Sequence, residues 1–275
     1  MAARGGGRVS RALTTRSFRR MKAEGRRIVV LTAYDWMLAR YLDAAGVDAI
    51  LVGDSAGQVF AGHRTTLPVT LDDMIYHARA VRRGAPDRFL IVDMPFLTFQ
   101  VSPEETLRNA GRVMKETDAQ AVKVEGGAAL AGTVERLVGC GIPVMGHLGL
   151  TPQSVHAFGG YGLRASEADE AERLRADALA LESAGCFSLV LEKIPSSLAT
   201  EVSKTLEIPT IGIGAGPGTD GQVLVTPDLL GLTPDFRPRF VRRYADLDEI
   251  VRAALARFAS DVREGTFPGE EESYP

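Results

Sequence analysis

The feature that most constrains this chain is a repeated pattern in which a short apolar run of strand length ends on polar residues. The run 49–52 (AILV) is followed directly by Gly53, Asp54 and Ser55. Continuous apolar runs of this length are typical of strands that are buried on both faces of a parallel sheet. Four later runs end in the same way, on Asp93, Glu125, His147 and Glu192. The pattern therefore predicts an α/β fold with its chemistry at the strand exits.

Helical segments alternate with these runs along the chain. Residues 36–45 have helical spacing and stop at Gly46, and Ser102 with Pro103 has the pattern of a helix start. Strands are predicted in residues 28–35, 49–52, 89–92, 121–124, 142–146, 189–191, 209–214 and 222–225. An uninterrupted βα series without a linker favours a (β/α)₈ TIM barrel, and a doubly wound open sheet is the alternative.

The ends of the chain are predicted to lie outside the regular barrel. The first residues are rich in arginine and contain no acid before Glu24, which is a composition that transit peptides share, although glycines at 5–7 disfavour the helix that such peptides form. We predict a disordered basic lead over 1–16 and one catalytic domain over 17–275. Within it, a short helix at 17–22 precedes the barrel and a helix at 247–258 follows it.

Composition excludes two classes of partner. The formal net charge is −3 and the sequence pI is about 5.9, which provides no basic surface for nucleic acid. No apolar run approaches the roughly 18 residues that a membrane span requires. Cys140 and Cys186 lack metal-ligand spacing. We expect both to be small buried side chains, which suits a reducing, cytoplasmic location.

The polar strand exits predict a metal site. In a barrel the carboxyl ends of all strands open onto one face, so Asp54, Asp93, Glu125, His147 and Glu192 would line one pocket. Facing carboxylates are costly unless a cation lies among them, and oxygen ligands without cysteine favour Mg²⁺. Any one of these acids could instead cap a helix.

Two further features leave alternatives open. Lys123 points to the same side of its strand as Glu125, where it could bind an anionic substrate, form a Schiff base or make a structural ion pair. His147 could line the pocket or be a hydrogen-bonded core residue. The glycine-rich stretch 211–216 lacks the context of a dinucleotide fingerprint, and it could let a backbone approach the substrate or bind phosphate.

Several motifs occur in a fixed order: 52–55 (VGDS), 66–70 (TLPVT), 83–86 (RGAP), 93–96 (DMPF), 122–127 (VKVEGG), 146–154 (GHLGLTPQS), 211–216 (IGIGAG) and 267–271 (FPGEE). From about Met21 to the C-terminus, the chain resembles the ketopantoate hydroxymethyltransferase family. The resemblance implies a barrel enzyme of pantothenate biosynthesis. Such an enzyme transfers a hydroxymethyl group from 5,10-methylenetetrahydrofolate to 3-methyl-2-oxobutanoate through a Mg²⁺-stabilised enolate and gives 2-dehydropantoate.

The resemblance also implies residue roles and an assembly. It assigns one Mg²⁺ per subunit to Asp54, Asp93 and Glu125, the last directly or through water. It implies keto-acid binding by Asp54, Ser55, Asp93 and Lys123, and His147 is predicted to join them in the pocket. Glu192 matches the proton acceptor of the family. Members are typically cytoplasmic homo-oligomers, often decamers.

Two segments depart from the family pattern, at 161–166 (YGLRAS) and at Lys193 with Ile194. Both leave the implied metal ligands and the base intact. The alternatives are a Mg²⁺-dependent carbon–carbon lyase or mutase of the phosphoenolpyruvate mutase and isocitrate lyase type, a class I aldolase that uses Lys123, and a barrel without catalytic activity.

Overall fold

The computed structural model describes residues 13–275 and contains a closed barrel of parallel strands. Each strand pairs with the next one along the chain and β8 pairs with β1, so the barrel has no free edge. The strands are β1 (Ile28–Thr32), β2 (Ala49–Val52), β3 (Phe89–Asp93), β4 (Ala121–Glu125), β5 (Val144–Gly149), β6 (Ser188–Glu192), β7 (Thr210–Ile213) and β8 (Gly221–Leu224). The predicted (β/α)₈ barrel is confirmed, and the open-sheet alternative is wrong.

Helices follow the strands in the predicted alternation. They are α1 (Thr15–Ala23), α2 (Trp36–Ala45), α3 (Ala56–Val59), α4 (Leu71–Gly84), α5 (Pro103–Thr117), α6 (Ala131–Gly139), α7 (Val155–Phe158), α8 (Ala168–Ser183), α9 (Ser196–Thr205), α10 (Thr226–Leu229) and α11 (Leu247–Glu264). Two 3₁₀ turns, Ala128–Leu130 and Pro152–Ser154, lie in the loops after β4 and β5.

The best predicted helix ends are those with a capping signal. Helix α2 occupies the predicted residues and ends at Gly46 with a φ of 75°, while Ser102 caps α5 through the amide of Glu105. Helix α1 begins at Thr15, two residues earlier than predicted, because Thr14 and Ser17 form a reciprocal cap. Residues 1–12 of the predicted lead lie outside the described residues.

Helix α1 packs against the amino-terminal ends of the strands. The ring of Phe18 lies 4.9 Å from that of Phe89 at the start of β3 and 5.5 Å from that of Phe187, which precedes β6. Lys22 Nζ lies 3.1 Å from Asp220 Oδ2, just before β8, in a mostly buried ion pair. These contacts cover the amino-terminal end of the barrel, so the carboxyl end is the face at which a site can open.

The chain divides into two compact units, one up to Leu224 and one over Val225–Pro275. The first contains the complete barrel, and the second contains α10 and α11. The prediction of a single domain over 17–275 stays a prediction. Over residues 13–275, no helix is both long and apolar enough to cross a membrane. The cytoplasmic location stays a prediction as well.

Candidate active site

Strand register brings the predicted site residues together at the carboxyl end of the barrel. Asp93 on β3 is in register with Lys123 on β4, and Glu125 on β4 is in register with His147 on β5. Asp54 and Ser55 follow β2 directly, and Glu192 ends β6. All seven predicted residues therefore lie at the exits of five consecutive strands, β2 to β6.

A buried ion pair connects β3 and β4. Lys123 Nζ lies 3.1 Å from Asp93 Oδ1, and the side chains of the two residues are only 5% and 4% exposed. Burial opposes the positive charge of Lys123, but Asp93, Glu125 and Asp54 outweigh it and raise the pKa of the ammonium above its ordinary value. These carboxylates therefore favour the ammonium form of Lys123, which disfavours its use as an amine nucleophile. The ion pair with Asp93 agrees with the structural interpretation of Lys123, and it does not exclude the prediction that Lys123 also binds the substrate.

His147 lies between two carboxylates. Its Nδ1 is 3.2 Å from Glu125 Oε1, and its Nε2 is 3.2 Å from Glu192 Oε2. Burial and the nearby Lys123 favour the neutral ring, but Glu125 and Glu192 raise the pKa of His147 to about 9. The structure places His147 at the carboxyl end of the barrel beside Glu192, and its role in substrate binding stays a prediction.

The surroundings of Asp54 disfavour the charged form of its carboxyl group. Its carboxyl is buried, and the negative charges of Glu125 and Asp93 add to the effect of burial, so its pKa is raised well above the ordinary value. The backbone amide of Asp54 donates to Asp93 Oδ2 at 3.1 Å, which holds the two strand exits together. A divalent cation between the two carboxylates would remove this electrostatic cost.

The donor set fits a magnesium ion. Asp93 Oδ1 and Glu125 Oε1 are buried and, although cations lie near them, accept no hydrogen bond of good geometry. Two buried carboxylate oxygens without such a bond suit Mg²⁺, which is usually bound through one or two carboxylates and keeps its other positions for water and substrate. Within residues 13–275, no three acidic, histidine or cysteine side chains form a preformed metal cluster.

The helix-cap alternative for the acids is wrong. None of Asp54, Asp93, Glu125 and Glu192 is the N-cap of a described helix. Ser55 occupies the N-cap position of α3 without a side-chain cap hydrogen bond. The hydroxyl of Ser55 instead contacts Tyr34 Oη at 2.8 Å.

Sequence reasoning missed two polar residues that contact the cluster. Gln153 donates from Nε2 to Asp54 Oδ2 at 2.9 Å and from its backbone amide to Glu125 Oε2 at 3.0 Å. Tyr34 follows β1 and contacts Ser55. The only sequence signal for Gln153 was its place in the family-like segment 146–154. The sequence signal for Tyr34 was its place at the end of an apolar run, which is the place that Asp54 has after β2.

Gly149 explains how β5 ends next to Glu192. Its φ is 90°, and a Cβ at this position would collide with the carbonyl oxygen of Glu192. The amide of Leu150 then donates to that carbonyl oxygen at 2.8 Å. A glycine is needed because the backbone adopts a left-handed conformation while it lies directly against the neighbouring strand.

The glycine-rich stretch has a packing role in the structure. A Cβ at Gly216 would collide with Ser196, and one at Gly218 would collide with Thr200, both in α9. The close approach therefore is to helix α9, and the phosphate interpretation stays a prediction.

The cysteine prediction is half right, because Cys186 is buried while Cys140 is exposed. Cys140 is the C-cap residue of α6.

The two segments that depart from the family pattern contact each other beside Glu192. Lys193 Nζ donates to the carbonyl oxygen of Tyr161, and the amide of Arg164 donates to the carbonyl oxygen of Lys193 at 2.9 Å. Tyr161 Oη also accepts a long hydrogen bond of 3.4 Å from Gln58 in α3. The loop after β5 therefore reaches from the β6 exit to the β2 exit.

Comparison with known proteins decides the family. The family model described as ketopantoate hydroxymethyltransferase matches residues 12–270. The chain therefore belongs to the ketopantoate hydroxymethyltransferase family. It is 60% identical to the 3-methyl-2-oxobutanoate hydroxymethyltransferase of Prosthecochloris aestuarii over 266 residues, covering 95% of this chain and 96% of that protein. It is also 60% identical to the Salinibacter ruber protein of that name, covering 95% and 99%. The predicted membership in the ketopantoate hydroxymethyltransferase family is confirmed.

Solved structures of other enzymes share the barrel. One is 2,3-dimethylmalate lyase, a member of the PEP mutase/isocitrate lyase superfamily, with a TM-score of 0.61 at 20% identity, covering 95% of this chain and 91% of that one. Another is phosphonopyruvate hydrolase in complex with oxalate and Mg²⁺, with a TM-score of 0.61 at 12% identity and coverage of 94% and 93%. At these identities the likeness shows a common fold between ketopantoate hydroxymethyltransferases and these enzymes.

Proposed function

We propose that this chain is a 3-methyl-2-oxobutanoate hydroxymethyltransferase. It transfers a hydroxymethyl group from 5,10-methylenetetrahydrofolate to 3-methyl-2-oxobutanoate and produces 2-dehydropantoate and tetrahydrofolate. The observation that carries this proposal is the meeting of two paired carboxylates, a buried ammonium and a third carboxylate beside a histidine at one barrel mouth. Those are the groups needed to bind a 2-oxo acid and to remove a proton beside its carbonyl.

The keto acid is bound by cationic and hydroxyl groups at the exits of β2 to β4. Asp54 and Asp93 would hold one Mg²⁺ per subunit, with Glu125 acting directly or through water. When bound, Mg²⁺ supplies Lewis-acid stabilisation of the negative charge that develops on the keto oxygen. Lys123 attracts the carboxylate of the substrate, and the hydroxyl of Ser55 donates a hydrogen bond to it.

Glu192 is the base that removes the C3 proton of the keto acid. Its side chain is 16% exposed, compared with 3% for His147, so it is the part of this pair that substrate entering from the mouth can reach. His147 lies on the buried side of the Glu192 carboxylate, with Nε2 3.2 Å from Oε2. The resulting enolate carbon then forms a bond to the methylene carbon of the folate co-substrate. The bonds from that carbon to the folate nitrogens break, water supplies the hydroxyl oxygen, and tetrahydrofolate leaves with the protons released by the keto acid and the water.

Exchange of the C3 proton for deuterium tests this assignment. We expect the wild type to exchange the C3 proton of 3-methyl-2-oxobutanoate in D₂O with Mg²⁺ and without folate. Glu192→Gln should lower the exchange rate by roughly 10²- to 10⁴-fold, the usual contribution of a general base. Glu167→Gln is the matched control, because Glu167 is exposed and its side chain does not cap α8. Exchange at the wild-type rate in Glu192→Gln would refute the assigned base.

Turnover with both substrates tests the complete reaction. Formation of 2-dehydropantoate and tetrahydrofolate in equal amounts supports the transferase. Exchange without product would show that the protein only enolises the keto acid.

For the lyase and mutase alternative we expect a reactive cysteine at the mouth, but Cys140 and Cys186 lie in loops that lead into strands β5 and β6, at the opposite end of the barrel.

Self-association is part of the proposal. Three large side chains on one exposed side of α2 are 48%, 60% and 66% exposed: Trp36, Met37 and Tyr41. Neighbouring exposed apolar side chains of this size are typical of subunit contacts. Sedimentation equilibrium should therefore give a mass that is a multiple of 29.5 kDa. A concentration-independent monomer would refute the homo-oligomer.

A further inference from the structure

Gln153 is the residue that connects the carboxylates of the cluster. It lies in the 3₁₀ turn after β5 and is buried. Its Nε2 donates to Asp54 Oδ2 at 2.9 Å and to the carbonyl oxygen of Met94 at 2.9 Å. Its backbone amide donates to Glu125 Oε2 at 3.0 Å. One residue from the β5 loop thus contacts the exits of β2, β3 and β4.

The orientation of the Gln153 amide is fixed by a second glutamine. Gln100 Nε2 donates to Gln153 Oε1 at 3.1 Å, and Gln100 Oε1 accepts from the amide of Phe99 at 3.4 Å. If the Gln153 amide were reversed, its NH₂ group would face the NH₂ group of Gln100, and its oxygen would face Asp54 Oδ2. Both contacts would be repulsive, so the NH₂ group of Gln153 points to Asp54.

A neutral donor suits this position. Asp54, Asp93 and Glu125 are buried near one another, and a cationic side chain in place of Gln153 would compete with a metal ion for their charge. The amide of Gln153 occupies one oxygen of Asp54 and its backbone amide occupies one oxygen of Glu125. The other oxygen of Asp54 is left for a cation or its water, while Glu125 Oε1 lies 3.2 Å from His147 Nδ1. Groups that orient metal ligands in this way typically contribute 10- to 100-fold to metal affinity.

We propose that Gln153 is a positioning residue for the divalent-cation site, acting by holding the carboxylates of Asp54 and Glu125. This inference rests on the proposed function, because it takes those carboxylates as the metal site. No folate chemistry is involved, so metal binding without substrates tests it separately. Mn²⁺ is a suitable probe since the free ion is counted directly by electron paramagnetic resonance.

The test compares Gln153→Met with Gln120→Met. Gln120 has a similar set of hydrogen bonds at the opposite end of β4: its Oε1 accepts from Arg82 at 2.7 Å and from the amide of Leu90 at 2.8 Å, and its Nε2 donates to the carbonyl oxygen of Asp118 at 3.0 Å. Gln153→Met should raise the Kd for Mn²⁺ by about 10-fold or more. Gln120→Met should leave the Kd unchanged, even if it lowers the Tm.

A second variant keeps the test decisive if Gln153→Met does not fold. Gln153→Asn retains an amide, but the side chain is one methylene shorter and cannot reach both Asp54 and Gln100, so it should also weaken Mn²⁺ binding. A wild-type Kd in a folded Gln153 variant, or an equal loss in Gln120→Met, would overturn the inference alone. Absence of Mn²⁺ binding by the wild type would overturn the proposed metal site and this inference with it.

Discussion

Tyr34 Oη lies 2.8 Å from Ser55 Oγ and thereby links the exit of β1 to the exit of β2. Tyr34 is buried, and its carbonyl oxygen lies 2.7 Å from His77 Nδ1, so both its ring and its backbone are held. We expect Tyr34→Phe to fold normally and to raise the KM for the keto acid by about 2- to 10-fold. This is the effect of one net hydrogen bond, and it arises because the hydroxyl of Ser55 would lose the partner that orients it.

Steady-state kinetics with the keto acid varied at saturating folate would measure this change. Tyr41→Phe is the matched control, because Tyr41 lies on α2 and is 66% exposed. A KM for Tyr34→Phe equal to that of the control would show that Tyr34 does not orient Ser55.

Removal of divalent metal should abolish both turnover and C3 exchange. We expect treatment with EDTA to remove the activity and added Mg²⁺ to restore it, because the buried carboxylates of Asp54 and Asp93 need a cation to be charged together.

Treatment with borohydride in the presence of the keto acid should leave the protein mass unchanged, since the ion pair with Asp93 favours the ammonium form of Lys123. A reduced adduct on Lys123 would support the aldolase alternative instead.

The cap of α4 predicts a pH-dependent contribution to stability. Thr70 donates from its amide and hydroxyl to Asp73 Oδ2 at 3.0 Å and 2.6 Å, and these bonds lower the pKa of Asp73. Because the pKa is lower in the folded state than in the unfolded state, the stabilisation is complete above the ordinary aspartate value of about 3.9. It is lost as the pH falls through the folded value.

Urea unfolding at about pH 6 and about pH 3 would reveal this contribution. We expect the free energy of unfolding of the wild type to fall more steeply with acid than that of Asp73→Asn. Thr70→Ala should cost about 1 kcal/mol at the higher pH, the usual loss of an N-cap. Parallel pH profiles for wild type and Asp73→Asn would contradict the assignment.

The two cysteines should differ in reactivity. Cys186 is 2% exposed, and burial raises the pKa of its thiol to about 12, whereas Cys140 is exposed. Iodoacetamide at about pH 8 should therefore add one group to the native protein and two in denaturant. Native Cys140→Ser should gain none. Mass spectrometry counts the adducts, and modification of Cys186 in the native state would show that the loop before β6 opens locally.

The barrel could be predicted because its signals are local and repeated. Buried parallel strands require unbroken apolar runs, and helices such as α2 and α5 are delimited by Gly46 and Ser102. The short helices Ala56–Val59 and Val155–Phe158 were missed because four residues complete little more than one turn and show no period. The exposure of Cys140 was missed because the end of a short helix gives no burial pattern.

The site could be predicted only as far as strand ends reveal it. Asp93 and Glu192 end apolar runs, and parallel strands must bring such ends together. Gln153 lies in a loop without a period, and its partner Asp54 is 99 residues away in the chain. A hydrogen bond over that separation depends on the path of the loop after β5, which no local pattern encodes.

The seven predicted site residues occupy only the arc from β2 to β6. The remaining strands β7, β8 and β1 complete the ring of hydrogen bonds and supply none of those seven side chains. Closure of the barrel therefore depends on β7, β8 and β1, whereas the seven predicted site residues lie at the exits of β2 to β6. A substitution in β7, β8 or β1 is therefore expected to change the stability of the barrel first, with Tyr34 after β1 as the exception because it contacts Ser55, whereas a substitution at the seven exits is expected to change the chemistry.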